Sequence, residues 1–177
     1  MSTRYSDLAD GLQDALQTHL ASLTMLVIER RLKPRLDRTE FDPTKVYLGV
    51  YVGSAGWEIM GRQVDRQEWE ILLAIQAAIP TPAANPSGNP FGAVTSQAQD
   101  PVAWGDSIFE LVERVKDLWR AEPQAGGLAG PLRGEQIAGC DCMELVHDPV
   151  YVADHLTELG ILTSIVTLTY RVADDGD

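Results

Sequence analysis

An α+β domain, with a mostly antiparallel sheet packed against two helices and long loop excursions, is what this sequence predicts. Three observations carry that expectation. Residues 160–172, GILTSIVTLTYRV, alternate with a period of two and are dense in β-branched residues, the pattern of one long strand. Two other stretches, residues 7–31 and 104–120, repeat apolar side chains every three or four positions, the pattern of helices that bury one face. Residues 46–52 and 66–77 return to strand character and supply further strands of the sheet.

The chain has 177 residues, which suits a single domain spanning 1–177. With 45% hydrophobic residues it has enough apolar material for a core. The formal charge is -12, and residues 1–45 carry seven basic and seven acidic residues, so the acidic excess lies in the remainder. Such a surface repels phosphate backbones and argues against general nucleic-acid binding. The two cysteines, Cys140 and Cys142, are one residue apart and make no disulfide scaffold. The first residues, MSTRYSDLAD, are polar and acidic, so no signal peptide is expected. No apolar run is long enough for a helix to cross a bilayer.

In the first helix Leu8, Leu12, Leu16, Leu20, Leu23 and Val27 form the apolar stripe, with Ser6 as N-cap and Asp7 and Asp10 favoured by the helix dipole. Pro34 stops the helix at about residue 29 or 31. The next stretch concentrates Arg30, Arg31, Lys33, Arg35 and Arg38. Cations near helical C-terminal carbonyls explain it as a solvated helix end, and contact with an acidic neighbouring subunit is its functional alternative.

Residues 46–52 read as a strand and Gly53 to Gly56 as a turn, with a short strand from residue 57 completing an antiparallel meander. From residue 66 to 77, Trp69, Ile71, Leu73 and Ile75 share one face. Residues 80–103 hold five prolines and two glycines and read as a long loop. Loops above roughly 12–15 residues commonly serve binding, and Phe91 is the only large aromatic there, hence a candidate anchor. In the second helix Ile108, Leu111, Val112, Val115, Leu118 and Trp119 face the core, with Trp119 a core residue rather than a ligand platform. Residues 121–139 are glycine-rich and read as a second loop without a fixed element; no GxGxxG or Walker pattern occurs there. A strand from Cys142 to His147, a helical turn at 154–159 and the final strand complete the chain, and residues 173–177 are expected to be disordered.

On the final strand Leu162, Val166, Leu168, Tyr170 and Val172 face the core, while Ile161, Thr163, Ile165, Thr167 and Thr169 form a mixed second face. That second face needs a partial cover, from a helix or another subunit.

Chemistry-bearing patterns are sparse. Cys140, Asp141, Cys142 and His147 hold the only metal-like grouping, but the spacing departs from a zinc knuckle, and reduced thiols explain it better. His19, His147 and His155 have no catalytic neighbours in sequence, and no GxSxG or HExxH motif occurs. The expectation is a protein without catalytic residues, cofactor or bound metal.

The order of elements, with KVYLGVYV, EWEILLAIQ, SIFELVERVKDLW and LGILTSIVTLTYRV, resembles tail terminator or tail completion (head–tail joining) proteins of long-tailed bacteriophages. The likeness covers most of the chain and rests on a pattern of elements rather than an invariant motif. It implies a structural virion protein at the neck, assembled in the host cytoplasm. Its subunits would form a ring, often a hexamer, that caps the tail tube and meets a head-completion or connector protein. DNA would pass through without specific binding, and no membrane is involved. Under this reading Phe91 and the 80–103 loop are candidate axial contacts, and Arg30, Arg31, Lys33 and Arg35 candidate partners between subunits. A head-completion adaptor, a tail-tube protein and, from another class, a small enzyme with a loop-built acidic site remain alternatives.

Overall fold

The computed structural model describes residues 4–42, 44–59, 65–79, 101–120, 129–148 and 150–172. In chain order these form α1 (Arg4–His19), β1 (Leu26–Arg30), a 3-10 turn (Arg38–Glu40), β2 (Val46–Ile59), β3 (Asp65–Ala78), α2 (Pro101–Asp117), β4 (Cys140–Val146), α3 (Ala153–Leu159) and β5 (Ile161–Val172). The five strands make one sheet in the order β1-β2-β3-β5-β4. Only β1 and β2 run parallel; the other pairs are antiparallel. The α+β expectation, with an antiparallel-dominated sheet, helices and loops between them, is therefore met.

One face of the sheet carries the main core. Cross-strand partners Trp69 and Tyr170, Ile71 and Leu168, and Leu73 and Val166 stack side by side there. Leu48 and Val50 of β2 continue the layer. Helix α1 brings Leu8, Leu12 and Leu16 to this core, and α2 brings Ile108, Leu111, Val112 and Val115, all essentially without solvent exposure. Trp119 is also buried, and its indole Nε1–H donates to the Tyr170 hydroxyl at 3.3 Å. The apolar stripes read from the second helix and the two long strands thus fall on the surfaces expected of them.

The N-terminal helix is shorter than its apolar spacing suggests. It ends at His19, and Leu20, Leu23 and Leu26 are linked by successive turn hydrogen bonds before the chain becomes β1. Leu20 and Leu23 still pack on the core, so the spacing continues without the helix. Val27 and Ile28 are β-branched and gain a full parallel ladder with β2, which continuing the helix would forgo. Helix α1 already includes Arg4, so Ser6 is not the N-cap; its hydroxyl instead accepts from Arg30 at 2.9 Å.

Two expected loops also contain regular or fixed structure. Residues 53–56 are not a turn but part of β2, which runs on to Ile59, with a register shift between Val52 and Ala55 at Gly53, while Gly56 pairs with Glu68. Pro101 opens α2, a position where its missing N–H costs nothing, so residues 101–103 are helical. Residues 129–139 are held against the domain: Leu132 is fully buried, and its N–H donates to the Leu118 carbonyl at 2.8 Å beyond the end of α2. Gly130 is required there because a Cβ would lie 2.2 Å from the Asp117 carbonyl oxygen. The remainder of the 80–103 and 121–139 stretches, and the tail 173–177, lie outside the described residues.

Candidate assembly surface

The second face of the sheet is covered over one end by the chain's own segment 31–42. This cover is neither a helix nor a second subunit, the two possibilities suggested by the mixed strand face. Its anchor is Gln76 of β3, whose side chain acts like a strand partner. Gln76 Oε1 accepts from the Arg35 backbone N–H at 2.9 Å, and its Nε2 donates to the Arg35 carbonyl at 2.9 Å and to Thr163 Oγ1 at 3.1 Å. Buried amides are stable only when their polar atoms are satisfied, and Gln76 meets that condition. Beside it, Phe41, Tyr47, Ala78 and Ile161 form a small separate core.

Arg35 carries most of the strap's side-chain interactions. Its guanidinium stacks 4.1 Å from the Tyr47 ring centroid, donates to Glu29 at 2.7 Å and to the Glu40 carbonyl at 2.7 Å. Arg31 joins the same network through Glu29 at 3.3 Å and Glu40 at 3.1 Å. Burial opposes the charge of Arg31, but these two carboxylates outweigh it and hold its pKa above the ordinary value. Tyr51 lies against this network; desolvation pushes its phenol up to about 12. The ring has room because Gly49, two residues before it on the same face, lacks a side chain: a Cβ there would meet the Tyr51 hydroxyl at 2.1 Å.

Arg30, Arg31 and Arg35 thus lie beyond the end of α1, not at a helix end, and each forms an ion pair within the subunit. Arg30 pairs with Asp10 of α1 at 2.6 Å, and the other two hold the strap to the sheet. The sequence clustered these cations correctly but could not identify their partners, since Asp10, Glu29 and Glu40 reach them through the fold. Lys33 differs from them: it is exposed and forms no ion pair among the described residues. Phe91 lies outside the described residues.

Two buried hydroxyls on β5 tie down the excursion that contains α3. Ser164 Oγ donates to the Val150 carbonyl at 2.7 Å and contacts His147 Nε2 at 2.8 Å. With the Ser164 proton directed to Val150, His147 Nε2–H is the donor in that contact. Desolvation, followed by the nearby Lys116 charge, keeps His147 below its ordinary pKa. On the other side Thr163 Oγ1 contacts His155 Nδ1 at 3.0 Å. Both histidines therefore hold structure together. Cys140 and Cys142 are free thiols; burial raises the Cys140 pKa and pushes Cys142 up to about 11, which disfavours the thiolate needed for metal binding or nucleophilic attack. No group of three potential metal ligands occurs among the described residues.

Several surfaces remain open to a partner. Strand β4 is an edge strand, with Met143 52% and Val146 40% exposed. Beyond the strap, Leu72, Ile165, Thr167 and Thr169 on the second sheet face are only partly buried. An apolar cleft of about 350 Å³ opens between the start of α2, α3 and the sheet, lined mainly by Ile79, Trp104, Phe109, Tyr151, Leu156 and Leu162. No family model matches the chain, and a search of curated proteins finds no match.

Proposed function

We propose that this protein is a structural subunit of a phage neck, a tail terminator whose copies form a ring capping the tail tube and joining it to the head. The proposal rests on the family resemblance of its element order, and the observation that carries it furthest is the one-sided cover of the sheet. Two helices close one face, while the chain's own strap covers only one end of the other and β4 leaves an open edge. A subunit arranged in this way gains buried apolar surface from neighbours. An acidic ring wall would also let DNA pass without adhesion, because like charges do not retain phosphate.

Light scattering of the purified chain, followed by negative-stain imaging, tests the reading. Closed rings of uniform size are the expected result, formed by the chain alone or on addition of tail tubes. A chain that stays monomeric under both conditions overturns it. Extended tubes formed by this chain alone would identify a tail-tube subunit instead.

A further inference from the structure

We infer that the apolar cleft beside α3 receives Leu32 of a second copy of this chain, with Lys33 of that copy set against Asp106. Leu32 is 100% exposed although the segment that carries it is fixed. Its fixation comes from both sides: Arg31 is bound to Glu29 and Glu40, and Arg35 is bound through Gln76, Glu29 and Tyr47. A residue whose backbone is already fixed has less freedom to lose when a partner buries its side chain, so it is prepared to act as an anchor. Leu36, on the same strap, is 48% exposed.

The cleft has the complementary character. Its walls are aromatic and aliphatic, and Asp106 contributes an exposed carboxylate that forms no ion pair among the described residues. Lys33, next to Leu32, is the matching cation, without an ion pair among the described residues. One copy cannot satisfy both halves by itself. Leu32 lies two residues beyond the edge strand β1, whereas Leu162 of the cleft belongs to β5, three inter-strand steps away or roughly 14 Å; only the later part of the strap, through Arg38, reaches the Ile79 carbonyl. The strap also lies on the second sheet face, while Trp104 and Leu162 belong to the helix-side core. Knob and cleft are therefore different surfaces of one subunit, and joining them gives a head-to-tail contact that closes into a ring or runs on as a filament. The contact rests on the self-assembly proposed above and specifies its interface.

Full-length Leu32→Asp tests it, because a fully exposed side chain can be changed without disturbing the subunit. The melting temperature of the dilute subunit is expected to stay the same, while the concentration needed for half assembly rises at least about tenfold. Lys33→Glu and Asp106→Lys should each weaken assembly, and the double variant should recover it. As a second measurement, a Leu32→Cys, Gly105→Cys chain should give a ladder of disulfide-linked oligomers that neither single variant gives. A Cβ at Gly105 would meet nothing within 4 Å, so that variant is sterically free. Rings that persist unchanged in Leu32→Asp and yield no ladder overturn this contact but leave the ring intact. Filaments that Leu32→Asp dissolves would support the contact and overturn the closed ring, and a chain that never self-associates overturns both.

Discussion

The two faces of the sheet are closed by different physics. On one, α1 and α2 set rows of aliphatic side chains against Ile71, Leu73, Val166 and Leu168, and the contact is continuous and dry. On the other, a strap without long regular elements is fixed by a buried glutamine, an arginine stacked on tyrosine and two glutamates shared between arginines. The first arrangement gains stability from area removed from water. The second depends on a few directional contacts, so it covers only the end of the sheet where those partners meet.

The contrast is tested most severely by removing one side chain from each face. Leu73→Ala on the helix side should cost about 2–5 kcal/mol, whereas Leu72→Ala, its half-buried neighbour on the other side, should cost about 1 kcal/mol or less, both read by chemical denaturation. Equal losses would show that the second face is as tightly packed as the first. A step down in size, Arg35→Ala should cost about 1–3 kcal/mol by leaving Glu29 without its closest cation and unstacking Tyr47, and Arg35→Lys should recover little of it. Full recovery by lysine would mean that the stacking and forked hydrogen bonds are unimportant.

Gly49→Ala should displace Tyr51 and cost about 1–3 kcal/mol through overpacking. The Tyr51 phenol should then titrate well below about 12 in an ultraviolet pH titration, and an unmoved value would show that the ring does not depend on the missing side chain. The smallest effect concerns His147. Its folded pKa lies below the ordinary histidine value of 6.5, so the folded state binds this proton less readily than the unfolded chain. Its contribution is therefore fully present above pH 6.5 and is lost as the pH falls through the lowered folded value. Melting temperature should fall as the pH is lowered through that window, and His147→Gln should flatten the slope.

The arginine cluster shows how far residue order reaches. Arg30, Arg31, Lys33 and Arg35 stand out in the sequence as one basic group, yet the fold divides them: three become internal ties and Lys33 remains exposed. Charge reversal at Arg30 should accordingly loosen the junction between α1 and β1 within the subunit rather than act only on assembly. The cleft was invisible in the sequence, since its lining comes from Ile79 just after β3, from α2, Tyr151, α3 and β5, and no local pattern links them.

Periodicity alone determined the long elements: β3, α2 and β5, with the core side chains each presents, because a repeat of two or 3.6 places alternate residues on a face wherever the element finally sits. Tertiary structure decided where the first helix stops, since residues 26–30 reach a lower free energy as a parallel partner of β2 than as further helix. It likewise decided that the strap lies over Gln76 and that Leu32 is left outside. Those outcomes depend on partners more than 40 positions apart in the chain, such as Arg35 and Gln76, whose meeting only the folded sheet arranges.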